Sequence, residues 1–149
     1  MDGQKRQGVL FTGGAGPAEK PADLVIEGAT VVAADSGLER ALSWGVEPDL
    51  ILGDMDSIGD PGVLDDYPAE RVLRYGREKD YTDTELGLHA LWERGLTDVT
   101  IVGGGGGRLD HLLGIVALFD RDNYPRRWYT ESDRVECLDG EVILQDAQG

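Results

Sequence analysis

Residues 48–57 read Pro48-Asp49-Leu50-Ile51-Leu52-Gly53-Asp54-Met55-Asp56-Ser57, an apolar run that ends in two aspartates. The run predicts a short buried strand that stops at the acids. Asp54 and Asp56 are two residues apart, so in an extended segment both carboxylates point to the same side. Together they can bind one divalent ion, to which Ser57 adds a hydroxyl group or a turn bond. The alternative is a solvated aspartate-rich turn, which is common in proteins.

Three further acidic motifs occupy similar places along the chain. They are Asp35-Ser36-Gly37, Lys79-Asp80-Tyr81-Thr82-Asp83 and Gly107-Arg108-Leu109-Asp110-His111. Each motif stands where a predicted strand gives way to a predicted helix, and in an open parallel sheet these points lie along one edge. Two carboxylates about 4 Å apart repel by roughly 4 kcal/mol at an effective dielectric near 20. Because bound Mg²⁺ turns that repulsion into attraction, the sequence predicts a crevice for metal and phosphate.

Apolar runs alternate with amphipathic stretches over most of the chain. The predicted strands are Gln7–Thr12, Thr30–Ala34, Leu50–Leu52, Arg71–Arg74 and Val99–Val102, and the predicted helices are Gly37–Gly45, Thr82–Gly95 and about Leu109–Asp120. Thr82 and Glu85 form a capping-box pattern, and Gly45 and Gly95 are typical helix stops. The alternation predicts an α/β fold, a parallel-sheet, Rossmann-like three-layer domain with helices on both faces.

The pattern changes after Pro125. Short strands are predicted at Trp128–Thr130, Arg134–Leu138 and Glu141–Leu144, the last two separated by an Asp139-Gly140 turn. Two or three such strands are marginal on their own. We therefore predict an α/β catalytic domain over residues 1–124 and, over residues 125–149, the beginning of a truncated β-rich C-terminal module.

Composition excludes several classes of function. The 149 residues suit one domain with its own core. Twenty-nine acidic against fourteen basic residues give a net charge of −15, which repels nucleic acid and anionic membranes. The single cysteine, Cys137, excludes an internal disulfide. The N-terminus lacks a signal-peptide core, and no apolar stretch reaches the roughly 20 residues of a membrane span. We expect a cytoplasmic protein with no nucleic acid or membrane partner.

Two of the motifs also permit purely structural interpretations. Asp35 either binds a ribose or another hydroxyl, or it caps the following helix, and the cap is the favoured interpretation of that residue alone. Thr82 and Asp83 stand at a helix start, where a capping hydroxyl and an acid are stabilised without any function.

The glycine run Gly103–Gly107 lies between a predicted strand and a predicted helix, where backbone amides can approach a phosphate. It lacks the Gly-Lys-Ser/Thr ending of a P-loop. It also lacks the dinucleotide spacing, because Arg108 takes the place of the last glycine. Arg108 offers a planar, charged fork for phosphate oxygens, with Asp110 and His111 facing the same edge. The alternative is a flexible loop, with Arg108 as a surface charge and His111 packed under the helix.

In order and spacing, four segments resemble the catalytic domain of the thiamine pyrophosphokinase family. They are Ala34-Asp35-Ser36-Gly37, residues 48–57, Lys79-Asp80-Tyr81-Thr82-Asp83 and Gly106-Gly107-Arg108-Leu109-Asp110-His111. The resemblance covers roughly Val9 to Asp120. The family transfers the terminal pyrophosphate of ATP to the hydroxyethyl group of thiamine, which yields thiamine diphosphate and AMP. It implies ATP and thiamine as substrates, Mg²⁺ as cofactor and a homodimer.

The resemblance also implies roles for individual residues. The metal ligands would be Asp54, Asp56 and Asp83, with Arg108 as the remaining catalytic residue. The implied ATP or substrate-binding residues are Asp35, Gly37, Ser57, Lys79, Asp80, Thr82, Gly107, Asp110 and His111. The chemistry adds a proton acceptor, a carboxylate near the acceptor alcohol, with Asp56 and Asp83 among the candidates. Ser36 departs from the family, which usually has glycine there, and only the beginning of the family's C-terminal β-domain is present.

Three alternatives stay open at this point. The nearest is a hydroxymethylpterin pyrophosphokinase, since related enzymes share the carboxylate motifs. A second is a non-catalytic module that binds a nucleotide or thiamine phosphate. The third is an acidic α/β domain whose motifs are all caps and turns.

Overall fold

The structure, a computed structural model, describes residues 7–53, 62, 67–74, 82–107, 109–138 and 141–146. This part of the chain forms eight strands and three α-helices. The strands are β1 (Gln7–Phe11), β2 (Thr30–Ala34), β3 (Leu50–Gly53), β4 (Val72–Arg74), β5 (Asp98–Val102), β6 (Arg127–Tyr129), β7 (Asp133–Leu138) and β8 (Glu141–Asp146). The helices are α1 (Gly37–Ser43), α2 (Asp83–Glu93) and α3 (Leu109–Ala117), and a short 3-10 helix, Leu118–Asp120, continues α3.

All eight strands join one sheet in the order β4-β3-β2-β1-β5-β6-β7-β8. The strands from β4 to β6 pair in parallel, and β7 and β8 add antiparallel pairs. The predicted α/β class with a mostly parallel sheet is therefore confirmed. β6 pairs directly with β5, so the segment after Pro125 continues the same sheet. The division of the chain at residue 125 stays a prediction.

The sheet is covered on both faces, and most residues of its central strands are apolar and buried. Leu10 lies in a buried cluster with Leu88 of α2 and Ile115 of α3. Phe11 lies in a second cluster with Leu38 of α1. Successive strand residues point to opposite faces, so α2 and α3 cover one face and α1 covers the other.

The helix ends follow the sequence signals. Thr82 Oγ1 accepts a hydrogen bond of 3.1 Å from the Glu85 amide, which confirms the predicted cap of α2. Gly45 and Gly95 follow α1 and α2 with φ of 75° and 78°, conformations that favour glycine at a helix stop. No helix in the described part of the chain has the length and apolarity that a membrane crossing requires.

Candidate active site at the carboxyl edge of the sheet

Strands β1, β2, β3 and β5 are parallel, so their carboxyl ends meet along one edge of the sheet. The chain leaves β1 for one side of the sheet, through β2 to β4, and returns on the other side at β5. The boundary between β1 and β5 is thus a topological switch point, the kind of place where open α/β sheets bind ligands. Seven predicted site residues lie in the described part of this edge: Asp35, Gly37, Thr82, Asp83, Gly107, Asp110 and His111.

Asp35 turns its carboxylate towards the end of β3. Its φ of 48° is a left-handed conformation that few L-residues adopt, and its amide donates to the Leu52 carbonyl at 2.9 Å. The Oδ1 atom is buried, and a Cβ placed on Gly53 would overlap it. Asp35 therefore lies beside the residue that leads into the Asp54 motif.

The interpretation of Asp35 as a helix cap is wrong. Ser36 occupies the cap position of α1, and its side chain makes no capping hydrogen bond within the described residues. The left-handed backbone at Asp35 sends its carboxylate to Gly53 instead. A ribose-binding role for Asp35 stays a prediction.

Gly37 has a packing role. It is the first residue of α1 and is fully buried against the end of β1. A Cβ at this position would overlap the Phe11 carbonyl oxygen, so only glycine lets α1 start this close to the sheet. Its predicted role in substrate binding stays a prediction.

The start of α2 carries Thr82 and Asp83 to the same edge. Thr82 is exposed and caps the helix, while the Oδ1 atom of Asp83 is buried. An acid at this position is stabilised by the positive end of the helix dipole. Thr84 bonds to Thr12 after β1, with 2.8 Å between their hydroxyl oxygens. Sequence reasoning missed this pair, because nothing local connects residues 72 positions apart.

The first three glycines of the run after β5 form part of the packed structure. Gly103 N donates to Tyr129 O at 2.9 Å, Gly104 N to Gly13 O at 2.7 Å and Gly105 N to Ala15 O at 2.9 Å. These amides are committed to backbone carbonyls, so the expectation that the whole run cradles a phosphate is wrong for them. The flexible-loop interpretation is wrong for these three glycines for the same reason. Gly106 and Gly107 are exposed, and binding by Gly107 stays a prediction.

Trp128, on β6, is hydrogen-bonded to the first residue of this glycine segment. Its Nε1 donates to Gly103 O at 2.7 Å in a buried hydrogen bond. We expect Trp128→Phe to lower the free energy of unfolding by about 1–3 kcal/mol, because a buried carbonyl loses its donor. Urea unfolding measures the loss. Trp92→Phe is the control, since Trp92 is only partly buried and contacts His89 edge to face; equal losses in the two variants would contradict the prediction.

The first turn of α3 exposes Asp110 and His111. The His111 amide donates to Asp110 Oδ1 at 2.9 Å, which fixes that carboxylate at the helix start. The interpretation of His111 as packed under the helix is wrong, because its side chain faces solvent. Both residues are therefore accessible, and their contact with a nucleotide stays a prediction.

Arg40 was missed by the sequence reasoning. Its Nη1 donates to Gly14 O at 3.1 Å, which links α1 to the loop after β1. Burial lowers the pKa of the Arg40 guanidinium below its ordinary value. With Ser36, Gly14 and Pro17 it lines an open cleft of about 410 Å³. The four-residue spacing of Ser36 and Arg40, which puts them on one helix face, was the available signal.

Tyr129, at the end of β6, borders the same edge. Burial raises the pKa of the Tyr129 hydroxyl, and the Asp23 carboxylate raises it further. Asp23 also pairs with Arg134, with 3.2 Å between Oδ2 and Nε. These contacts fasten the segment before β2 to strands β6 and β7.

The donor set of the predicted metal site is only partly within the described residues. There, no group of three or more His, Cys, Asp or Glu side chains is placed to hold a metal ion. Asp83 is described and offers carboxylate oxygen, the donor that Mg²⁺ prefers. Six predicted site residues lie outside the described residues: Asp54, Asp56, Ser57, Lys79, Asp80 and Arg108. Their roles stay predictions.

Comparison with known proteins identifies relatives of this chain. The family model of the thiamin pyrophosphokinase catalytic domain matches residues 22–125. A thiamine pyrophosphokinase from Bacillus subtilis is 36% identical over 88 residues, which are 58% of this chain and 41% of the relative.

Solved structures agree with that match. A thiamin pyrophosphokinase family protein from Enterococcus faecalis has a TM-score of 0.67 and 26% identity, over 89% of this chain and 64% of that one. A thiamin pyrophosphokinase from Geobacillus thermodenitrificans has a TM-score of 0.62 and 25% identity, over 87% of this chain and 62% of that one. The chain thus spans about two fifths of the curated relative and less than two thirds of these two structures.

Proposed function

This chain belongs to the thiamin pyrophosphokinase family, and on that premise we propose that it transfers pyrophosphate from ATP to thiamine, giving thiamine diphosphate and AMP in a Mg²⁺-dependent reaction. One observation carries the proposal. The matched region, residues 22–125, contains all four acidic motifs, and the described parts of these motifs lie at the carboxyl edge of the parallel strands.

In this proposal Asp54, Asp56 and Asp83 hold Mg²⁺. The ion would supply positive charge to the phosphate oxygens, on which negative charge spreads during transfer. Asp83 suits this role because its backbone is fixed in the capped first turn of α2. Asp56 or Asp83 takes the proton of the thiamine hydroxyl. No covalent enzyme intermediate is required.

The remaining motif residues bind the nucleotide. Asp35 accepts from the ribose hydroxyls, which its position beside Gly53 supports, because it places the ribose next to the metal-binding motif. Arg108 and Lys79 contact phosphate oxygens, and Asp80 and Asp110 contact the nucleotide. Gly37, Ser57, Thr82, Gly107 and His111 line the substrate site. Cations at this edge are needed, since a chain of net charge −15 otherwise repels ATP.

We also propose that residues 1–124 form a Rossmann-like three-layer catalytic domain and that residues 125–149 begin a β-rich module. We further propose that the protein is a cytoplasmic homodimer. Helices on both faces of the sheet support the first point. An apolar row on α3 supports the dimer, because Leu109, Leu113 and Val116 are 67%, 56% and 50% exposed. Such rows on a helix face commonly mark contacts between proteins.

The reaction class is tested by incubating the protein with thiamine, ATP and Mg²⁺ and separating the products. We expect thiamine diphosphate and AMP in equal amounts. Formation of ADP in place of AMP would refute pyrophosphoryl transfer. A parallel assay with hydroxymethylpterin separates the two acceptor alcohols, and tight binding of nucleotide without turnover would support a binding module.

Removal of divalent metal is a second test of the same proposal. We expect an excess of EDTA to abolish turnover and added Mg²⁺ to restore it, because the acids at the site cannot neutralise phosphate charge themselves. Circular dichroism before and after chelation is the control, since the fold does not require the ion. Full turnover in EDTA would contradict a metal-dependent reaction.

A further inference from the structure

Three contacts in a row hold α2 against β1 and the residue after it. Two of them are apolar, and the third, a hydrogen bond, lies at the active-site end. Leu91 packs over Gly8, where an added Cβ would lie 2.9 Å from Leu91 Cδ2. Leu10 packs over Gly87 in the same way, since a Cβ added to Gly87 would lie 2.5 Å from Leu10 Cδ1. The third contact is the hydrogen bond of 2.8 Å between the hydroxyls of Thr12 and Thr84.

The row shows how α2 is oriented and what fixes it. Residues 8 and 10 of β1 and residue 12, directly after the strand, lie on one face. They meet residues 91, 87 and 84 of the helix in descending order. The helix therefore runs antiparallel to β1, with its first turn over the carboxyl end of the strand. The two apolar contacts let the helix lie close to the strand. The hydrogen bond adds, at the active-site end, a contact whose strength falls steeply as its geometry changes.

Both hydroxyls are buried, since Thr12 is 3% and Thr84 is 2% exposed. A pair of hydrogen-bonded hydroxyls in such a place adds little stability over two apolar groups of the same shape. Valine is such a replacement for threonine. The hydrogen bond therefore does more to fix the position of α2 than to stabilise the fold.

We propose that the Thr12–Thr84 hydrogen bond positions the Asp83 carboxylate for Mg²⁺ by fixing the axial placement of α2; the proposal rests on the proposed function above. Asp83 directly precedes Thr84 in the first helical turn. A displacement of the helix by about 1 Å carries the carboxylate with it, and errors of that size cost on the order of a hundredfold in rate. Thr12 and Thr84 are positioning residues, because neither contacts substrate in this proposal.

The experiment compares Thr12→Val, Thr84→Val and the double variant. Each single change leaves one buried hydroxyl without its partner, so we expect the folding equilibrium constant to fall about fivefold or more. The double change removes both hydroxyls, and we expect it to recover most of that loss. Its kcat nevertheless stays reduced by about tenfold or more, and more Mg²⁺ is needed for half-maximal ATP binding measured by calorimetry.

Thr100→Val is the matched control. Thr100 is fully buried on β5 and accepts a hydrogen bond from Arg127 at 3.2 Å, so its loss lowers stability without affecting the Mg²⁺ requirement. A stable double variant with wild-type kcat and Mg²⁺ requirement would overturn the positioning role while leaving the proposed function intact. A wild-type protein that neither turns over nor binds ATP with Mg²⁺ would overturn both.

Discussion

Asp83→Asn is expected to lower turnover by roughly a hundredfold or more, because it removes a carboxylate ligand of the Mg²⁺ that stabilises charge on the reacting phosphates, and the loss of one such stabilising group costs on that order. The substitution keeps the shape of the side chain and removes its charge. Thr82 still caps α2, so the helix keeps its start. We expect the free energy of unfolding to change by about 1 kcal/mol or less, the size of a helix-dipole interaction. The steady-state rate of AMP production measures the first effect, and urea unfolding measures the second. We expect Asp54→Asn to behave like Asp83→Asn.

Asp122→Asn is the matched control for Asp83→Asn. Asp122 is exposed in the segment that leads into β6, so it lies towards the amino ends of the strands, away from the candidate site. Asp122→Asn also removes one negative charge, but at this distance from the site we expect turnover to be unchanged. If Asp83→Asn unfolds the protein under conditions where Asp122→Asn is stable, then Asp83 has a structural role and the assignment as a metal ligand fails.

Gly37→Ala is expected to destabilise the protein by about 3 kcal/mol or more, since overpacking against rigid atoms typically costs 1–3 kcal/mol. Here the atom in the way is the backbone carbonyl oxygen of Phe11, which cannot rotate aside as a side chain would. The helix must therefore move away from the sheet. The shift also displaces Asp35 and Ser36, which precede the helix, so activity falls with stability. Urea unfolding at fixed temperature measures the change.

Gly114→Ala is the same type of substitution as Gly37→Ala, but we expect it to stabilise the protein. Gly114 lies within α3, and a Cβ placed there meets nothing within 4 Å. Alanine in an exposed helix interior is favoured over glycine by roughly 0.5–1 kcal/mol, so this variant should be slightly more stable than the wild type. If both variants changed stability by the same amount, the close contact of Gly37 with Phe11 would be disproved.

The sequence predicted the elements of this fold well because each one is encoded locally. Leu50 to Leu52 is apolar at every position, as expected for a strand covered on both faces, and it forms β3. Thr82 and Glu85 define the start of α2 within four residues. The described parts of the acidic motifs lie between a strand and a helix, as predicted. These parts lie on one edge because the strands before them pair in parallel.

The sequence alone therefore determined the class of fold, the cap of α2 and the family, because periodicity, capping and motif order depend on neighbours along the chain. The tertiary structure decided which groups at the edge are already occupied. The amides of Gly103 to Gly105 bind backbone carbonyls, and Asp35 turns to Gly53 in place of capping α1. Thr12 and Thr84 meet across the β1–α2 contact. Each of these depends on a distance between segments far apart in the chain, which is fixed only when the helices pack on the sheet.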